Sequence, residues 1–350
     1  MIKIDSMLLE ELKDFMVEQG EKSFRGEQVY KWIFQKGVKD FSQMTDLSVE
    51  LRGKLQNNAS FTYLKPIEIK RDEYDGSQKF LFELEDKNKI ESVALKDQDR
   101  ITLCVSTQVG CRMGCAFCAT AKIGFIRDLT AGEIVRQIME VNEHLATNSE
   151  KVTNIVFMGM GEPLDNYHNV VKAIGIITDE MGLGYSHRKV TVSTSGVVDR
   201  IDELFKLKKQ VNLAVSLNAT TDDIRSAIMP INKKFNIEKL MKKLKSLPIQ
   251  KRKRITIEYV MIKGVNDTLD DAKRLVRLLN GLPIKINLIA YNDGGNENYR
   301  APDEQTVLSF QKYLVDKHIT AFIRKSLGKN IEGACGQLYA KYNKGVNDGC

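Results

Sequence analysis

The chain reads as an α/β protein: a partial barrel of six (β/α) units, preceded by a small helical amino-terminal domain and a short β-meander extension. Three observations predict this. From residue 100 onward, short apolar runs rich in valine and isoleucine alternate with helical patterns, as parallel βα units require. Before that, Phe80, Phe82 and Leu84 alternate with polar neighbours at the period of a half-buried strand. The first sixty residues carry helical spacing instead.

The elements follow in order. Leu8, Leu9, Leu12 and Phe15 mark one apolar face, and Val29, Trp32 and Ile33 another, so residues 1–60 are expected to form short helices of an accessory domain. Phe24-Arg25-Gly26 and the segment from Lys31 to Lys36 mix cations with aromatics, as small helical RNA-binding modules do; Trp32 and Phe34 can equally serve as core. Residues 61–99 form the meander, with turn chemistry at Tyr74-Asp75-Gly76-Ser77. The strand after it holds an oddity. Glu91 shares its face with Val93 and Leu95, and a buried carboxylate is costly unless paired or functional. If Ile90 marks the core face instead, Glu91 faces solvent.

Residues 100–350 make the barrel. Strands are expected at 101–105, 152–158, 189–192, 211–217, 255–261 and 284–289. Thr130-Ala-Gly-Glu133 is a capping box that opens a helix with the stripe Ile134, Val135, Ile138, Met139. The length suits a full eight-unit barrel, yet only six units are legible, so the barrel is expected to be open on one side.

Composition narrows the function. Hydrophobic residues at 42% and charged residues at 28% describe an ordinary soluble protein, and no apolar run reaches membrane-spanning length. The first twelve residues break their apolar positions with acids, unlike a signal peptide. Six cysteines, three of them grouped, point to a reducing, cytoplasmic setting. A formal charge of +7 is partly clumped, at Lys206, Lys208 and Lys209, at Lys233 and Lys234, at Lys242, Lys243 and Lys245, and at Lys251 to Arg254. Any one such cluster can be plain solvated surface, but four within residues 206–254 point towards a polyanion such as nucleic acid.

The chemistry sits in Cys111-Arg-Met-Gly-Cys115-Ala-Phe117-Cys118. Three thiolates at this spacing can hold three irons of a four-iron, four-sulfur cluster and leave the fourth iron open. A structural zinc site would want a fourth ligand, whereas Cys104, Cys335 and Cys350 form no close pair and His144, His168, His187 and His318 are isolated. Cys350, the last residue, is assigned no role. The cysteine loop with its aromatic resembles the radical S-adenosylmethionine (SAM) superfamily. There the open iron is chelated by the amino and carboxylate groups of SAM, and Phe117 would pack on its adenine.

The other short motifs fall at strand ends, where such barrels keep their chemistry. Gly159-Met-Gly161-Glu162 follows the second strand, Ser193-Thr-Ser195-Gly196 ends the third, Ser216-Leu217-Asn218 the fourth and Tyr291-Asn292 the sixth. Cys104-Val-Ser-Thr-Gln-Val-Gly-Cys111, Phe157-Met-Gly-Met-Gly-Glu-Pro-Leu164, Val192-Ser-Thr-Ser-Gly196, Ile228-Met-Pro-Ile-Asn232 and Ala334-Cys335-Gly-Gln-Leu338 occur in that order. Together they resemble the RlmN type of radical SAM dual-specificity RNA (adenine-C2) methyltransferase, over essentially the whole chain.

The resemblance implies roles. Cys111, Cys115 and Cys118 would hold the cluster, and Gly161, Glu162, Ser193, Ser216, Leu217, Asn218 and Asn292 would contact SAM. One SAM would methylate Cys335; a second, cleaved to a radical, would take a hydrogen from that methyl. The resulting carbon radical adds to adenine C2, a carbon too electron-poor for polar methylation. Cys104 would then help remove the C2 proton and close a disulfide with Cys335; Glu91 matches the carboxylate assigned as proton acceptor in the family, and the thiol could take that proton instead. The substrate would be an adenosine of 23S ribosomal RNA, and in some transfer RNAs the one 3' of the anticodon. An electron donor such as flavodoxin or ferredoxin would serve the cluster. One departure is Asn218, where the family often has histidine. Three alternatives remain: the adenine-C8 relative, the Cfr type, which shares both catalytic cysteines; a radical SAM enzyme acting on protein or small molecules, for which Cys335 would be mere core; and a metal-stabilised RNA-binding module.

Overall fold

The computed structural model describes residues 1–207, 209–292 and 296–339. Three helices, α1 (Leu9–Glu18), α2 (Phe24–Phe34) and α3 (Val49–Asn58), form the amino-terminal module, closed by two short paired strands, β1 (Ile2–Lys3) and β2 (Ala59–Ser60). Leu12, Phe15, Val29 and Ile33 are buried as their spacing required, while Trp32 is half-buried and its indole N–H donates to Asp46 at 2.5 Å.

A ten-stranded sheet runs through the rest. Its antiparallel edge is the meander β3 (Leu64–Arg71), β4 (Gln78–Leu84) and β5 (Lys89–Asp97), which pairs with β6 (Arg100–Cys104). A hairpin of β7 (Gln108–Gly110) and β8 (Phe125–Asp128) follows β6. The sheet then continues in parallel through β9 (Asn154–Phe157), β10 (Val190–Thr194), β11 (Asn212–Ser216), β12 (Ile255–Met261), β13 (Ile284–Ala290) and β14 (Ala321–Ile323). Helices α4 (Ala131–Ala146), α5 (Tyr167–Thr178), α6 (Val198–Ile201), α7 (Asp222–Ile228), α8 (Ile237–Ser246), α9 (Leu269–Leu279) and α10 (Glu304–Asp316) fill the crossovers. The six expected units are present, and β14 adds a seventh parallel strand that three residues made too short to read. Thr130 caps α4 as predicted, accepting from the Glu133 amide at 3.2 Å.

The alternation that left Glu91 ambiguous breaks down on β5, because this strand is covered on both faces. Ile90 and Glu91 are both buried.

The module is bound to the barrel by more than apolar contact. Asp5, fully buried, accepts from Arg136 Nε on α4 at 2.7 Å and from the Thr62 amide and hydroxyl at 3.0 and 2.6 Å. Removing one member strands a buried charge. Asp5→Ala is therefore expected to cost about 3–5 kcal/mol in chemical denaturation, the penalty for breaking a buried pair; a loss near zero would mean that the ion pair does not hold the module.

Candidate active site

Parallel strands joined by helices place all their carboxyl ends on one rim, and the cysteine loop is held there by the β7–β8 hairpin that encloses it. Cys111, Cys115 and Cys118 line one cavity of about 180 Å³, with Phe117, Gly161, Glu162, Ser193, Ser216, Asn218, Asn292 and Cys335 in its wall. The five described cysteines are all free. Burial pushes the Cys111 thiol up to about 12 and Cys115 well above its usual value. Buried thiols so reluctant to ionise alone suit a cationic core that deprotonates its ligands. Among the described residues no three His, Cys, Asp or Glu side chains converge on the point a lone ion would take; a four-iron core holds its cysteines around a broader body.

The wall is tightly braced. Glu162 is buried and its carboxylate accepts the Leu164 amide at 3.1 Å and the Ser195 amide at 2.7 Å, so it ties the loop after β9 to the end of β10. Its backbone N–H donates to Gln108 Oε1 at 2.9 Å. Gly161 has φ +101, and a Cβ there would lie 2.7 Å from the Gln108 backbone nitrogen. Only glycine tolerates both the conformation and the approach. Ser195 lies in the same wall, its side chain buried beside the Glu162 carboxylate.

Asn218 occupies the left-handed region at φ 57, which asparagine accepts more readily than most residues. Its Oδ1 accepts the Val260 amide at 2.9 Å and its Nδ2 meets the Met229 sulfur at 3.3 Å, so the side chain braces β12 and one wall of the cavity. Leu217 is the exception among the expected contacts: its side chain is buried away from the cavity, and its carbonyl accepts from Arg225 Nε at 3.0 Å.

Arg225 was not singled out from the sequence. It is fully buried and also donates to Ser195 O at 2.7 Å, Ser216 O at 3.2 Å and Asn232 Oδ1 at 3.0 Å. It gathers two strand-end motifs and the Ile228-to-Asn232 segment onto one guanidinium. The Ile228-to-Asn232 motif thereby gains a purpose, since Asn232 receives Arg225 while the Ile228 carbonyl accepts the Ala116 amide of the cysteine loop at 2.9 Å.

A second cavity of about 280 Å³ lies beneath the first and runs from the amino ends of the strands, at Arg100, Asn154 and Asn212, to residues beyond their carboxyl ends, at Met158, Asn292 and Arg324. Cys104, the last residue of β6, and Cys335 both line it. Cys335 therefore faces two cavities, as do Asn292 and Glu258. Glu258 is a second residue that sequence reasoning missed; it is buried on β12 and its Oε1 accepts Asn287 Nδ2 at 2.9 Å. Burial, with the Glu258 charge beside it, pushes the Cys335 thiol up to about 11, although the residue is open to the cavity space. Burial drives the enclosed Cys104 thiol further up, Cys335 adding to the effect.

Glu91 lines neither cavity. Its Oε1 pairs with Lys79 Nζ at 3.2 Å and its Oε2 accepts the Tyr339 amide at 2.8 Å.

The lysine-rich stretch does not form one face with the cysteine loop. Lys206 and Lys209 precede β11 and Lys251 to Arg254 precede β12, so both groups sit at the amino rim, opposite the cysteines, because successive connections alternate between rims. Lys233 and Lys234 follow α7, on the cysteine side. Lys208 and Cys350 lie outside the described residues.

Comparison with known proteins decides the family. Residues 3–61 match the ribosomal RNA large subunit methyltransferase N-terminal domain, and residues 105–279 match the radical SAM superfamily. The chain is 47% identical over 347 residues to the dual-specificity RNA methyltransferase RlmN of Geotalea uraniireducens, spanning 99% of each chain. The chain belongs to the RlmN family of radical SAM RNA methyltransferases. RlmN of Geobacter sulfurreducens is 46% identical, with 97% of this chain and 93% of that one covered. The crystal structure of a radical SAM methyltransferase from Sphaerobacter thermophilus superposes with a TM-score of 0.92 at 38% identity, covering 97% of this chain and all of the other. As a radical SAM enzyme of the RlmN family, the protein uses SAM and a four-iron cluster. No helix among the described residues is long and apolar enough to cross a membrane.

Two outcomes follow from this geometry. Gly161→Ala adds a methyl where the Gln108 backbone already stands, and SAM affinity measured by calorimetry is expected to fall about tenfold or more, equivalent to about 1.4 kcal/mol; unchanged affinity would place SAM away from this loop. In the protein stripped of iron, iodoacetamide is expected to modify Cys335 before Cys104, and both faster as pH rises above neutrality, since the thiolate reacts and both thiols are held protonated. Equal rates at pH 7 would contradict the burial of Cys104.

Proposed function

We propose that the enzyme methylates C2 of an adenosine in 23S ribosomal RNA, and in some transfer RNAs beside the anticodon, with Cys335 as the methyl carrier and two SAM molecules consumed per turnover. The observation that carries this reading is the position of Cys335 in the wall of both cavities, one shared with the three grouped cysteines and the other with Cys104. A group transferred from SAM to RNA through a protein thiol needs that thiol to meet both partners.

When bound, the cluster and SAM supply a methyl group for a thiolate and the means to remove a hydrogen atom from it. Cys111, Cys115 and Cys118 would hold the cluster. Phe117, Gly161, Glu162, Ser193, Ser216, Asn218 and Asn292 would shape the SAM side; Leu217 would contribute through its backbone. Cys335, its proton leaving first, would take the methyl group from SAM; once that methyl has lost a hydrogen atom its carbon would bond to adenine C2, the C2 hydrogen leaving as a proton and one electron returning to the cluster. Cys104, across the lower cavity, would attack the Cys335 sulfur as its thiolate; the sulfur–carbon bond breaks as the disulfide forms, and its electron pair stays with the carbon, which takes up a proton to become the methyl of the departing base.

The lower cavity suits RNA. Arg100, Arg188, Lys285, Arg324 and Lys325 line it, with Glu258 as the one acid among the described residues there. Arg100, Arg188 and Lys285 lie towards the amino ends of the strands, the rim that also carries the lysine groups before β11 and β12. Phosphates would be held by these cations while an unstacked adenine enters towards Cys104, since C2 is unreachable in a stacked duplex. Clustered cations and aromatics on the amino-terminal module would extend the hold.

The test is anaerobic reaction of the reconstituted enzyme with SAM and unmodified RNA, read by nucleoside mass spectrometry. Wild type is expected to yield 2-methyladenosine and Cys335→Ala none. Cys104→Ala is expected to leave RNA covalently attached to the protein under denaturing conditions, because the bond to Cys335 cannot be resolved. Product at C8, or methylation that survives Cys335→Ala, would overturn the reading.

A further inference from the structure

Cys335 belongs to no strand and no helix longer than one turn, so something else must fix where its sulfur points. The segment from Gly328 to Tyr339 is held by side chains of the meander. Gly328 N–H donates to Asp75 Oδ2 at 2.8 Å and Asn330 Nδ2 to Asp72 Oδ1 at 3.1 Å, both in the β3–β4 turn. Beyond that, the cysteine loop and Asn292 hold the middle of the segment, through Ala119 N–H to the Gly336 carbonyl at 2.7 Å and Asn292 Nδ2 to the Cys335 carbonyl at 3.4 Å. On the meander side a buried ion pair takes its two ends. Lys79 Nζ donates to the Glu332 carbonyl at 3.5 Å, on the amino side of Cys335. Glu91 Oε2 accepts the Tyr339 amide at 2.8 Å, on the carboxyl side. Lys79 and Glu91 meet at 3.2 Å, diagonally across the β4–β5 ladder, and both side chains are 6% exposed.

We infer that Lys79 and Glu91 are positioning residues, a paired clamp that grips the Cys335 segment at both ends and keeps the thiol at the junction of the two cavities. The carboxylate divides its two oxygens between the cation and the segment, so neither hold stands without the other. Glu332 adopts the left-handed conformation at φ 51, and its carbonyl is thereby turned to Lys79. This gives Glu91 a task apart from proton transfer, consistent with its place outside both cavities. It also explains why a carboxylate persists on a strand buried on both faces, where an unpaired charge is severely penalised.

The inference rests on Cys335 as the methyl carrier, and its test separates the two. Full-length reconstituted enzyme would be compared with Lys79→Met/Glu91→Gln, which leaves no unpaired buried charge, and with Lys79→Arg, which keeps the cation. Three readouts apply: hydrogen exchange of the peptide spanning 328–339, trypsin cleavage after the exposed Lys329, and kcat and KM for RNA. The double variant is expected to exchange and cleave about tenfold faster or more, as for a segment opened locally, with kcat reduced at least as much and KM for RNA nearly unchanged. Lys79→Arg should restore most of both. Unchanged exchange and cleavage, whatever the activity does, would overturn the clamp. So would a loosened segment with unimpaired kcat. Methylation that survives Cys335→Ala would sink the carrier reading while leaving the exchange comparison intact.

Discussion

Cys335 lies in the wall of two chambers at once, the placement that the proposed function asks of its thiol, and the rest of the architecture bears on how it is held there. A strand end would aim the sulfur at the rim alone, and a helix would fix it to one side. The chain instead suspends it on an irregular segment, whose ends are gripped by the meander and whose middle leans on the cysteine loop: Ala119 N–H donates to the Gly336 carbonyl at 2.7 Å and Thr120 Oγ1 to the Leu338 carbonyl at 2.7 Å. The segment is thus registered against the grouped cysteines and against β4 and β5 together. The three-stranded antiparallel extension thus contributes side chains from its turn and two strands to the hold on this segment.

The two chambers differ in kind. The upper one is braced by buried polar struts, with Glu162 and Arg225 drawing backbone groups from three strand-end loops into one shell. Hydrogen bonds made to such charged groups are stronger than neutral ones and suit a wall that must not yield. The lower chamber is edged with flexible cations, Arg100, Arg188 and Lys285 towards the amino ends of the strands and Arg324 and Lys325 past the end of β14. Preorganisation on one side and long-range attraction on the other match a small cofactor and a polyanion. The amino-terminal module stays in register with this barrel through Asp5 and Arg136, a contact that lies 131 residues apart in sequence.

Much of this was legible beforehand, for identifiable reasons. Parallel strands in a barrel are apolar runs of adequate length, and their carboxyl ends carry short polar motifs, so the six units and the cavity residues at Gly161, Ser193, Ser216 and Asn292 could be read in order. Cys104 and Cys335 could be paired only through family resemblance, since 231 residues separate them. What escaped was set by tertiary context. Strand β14 is too short to show a period. The two-sided burial of β5 hid the orientation of Glu91, because alternation carries no signal when both faces are covered. Arg225 looked like any helical arginine, and Lys79 like an exposed residue on a polar strand face. The lysine clusters were close in sequence, yet the alternation of loops between rims separated them in space.

The most direct test of the central claim, that Cys335 carries the methyl carbon, is the fate of its hydrogens. The wild-type enzyme would be given SAM with a fully deuterated methyl group, and the RNA product would be weighed by mass spectrometry. If the methyl rests on Cys335 and loses a hydrogen atom before it meets the base, the product methyl must regain one hydrogen from another source. The account predicts a methyl with two deuteriums and one hydrogen; a methyl that keeps all three deuteriums would mean direct transfer and contradict it.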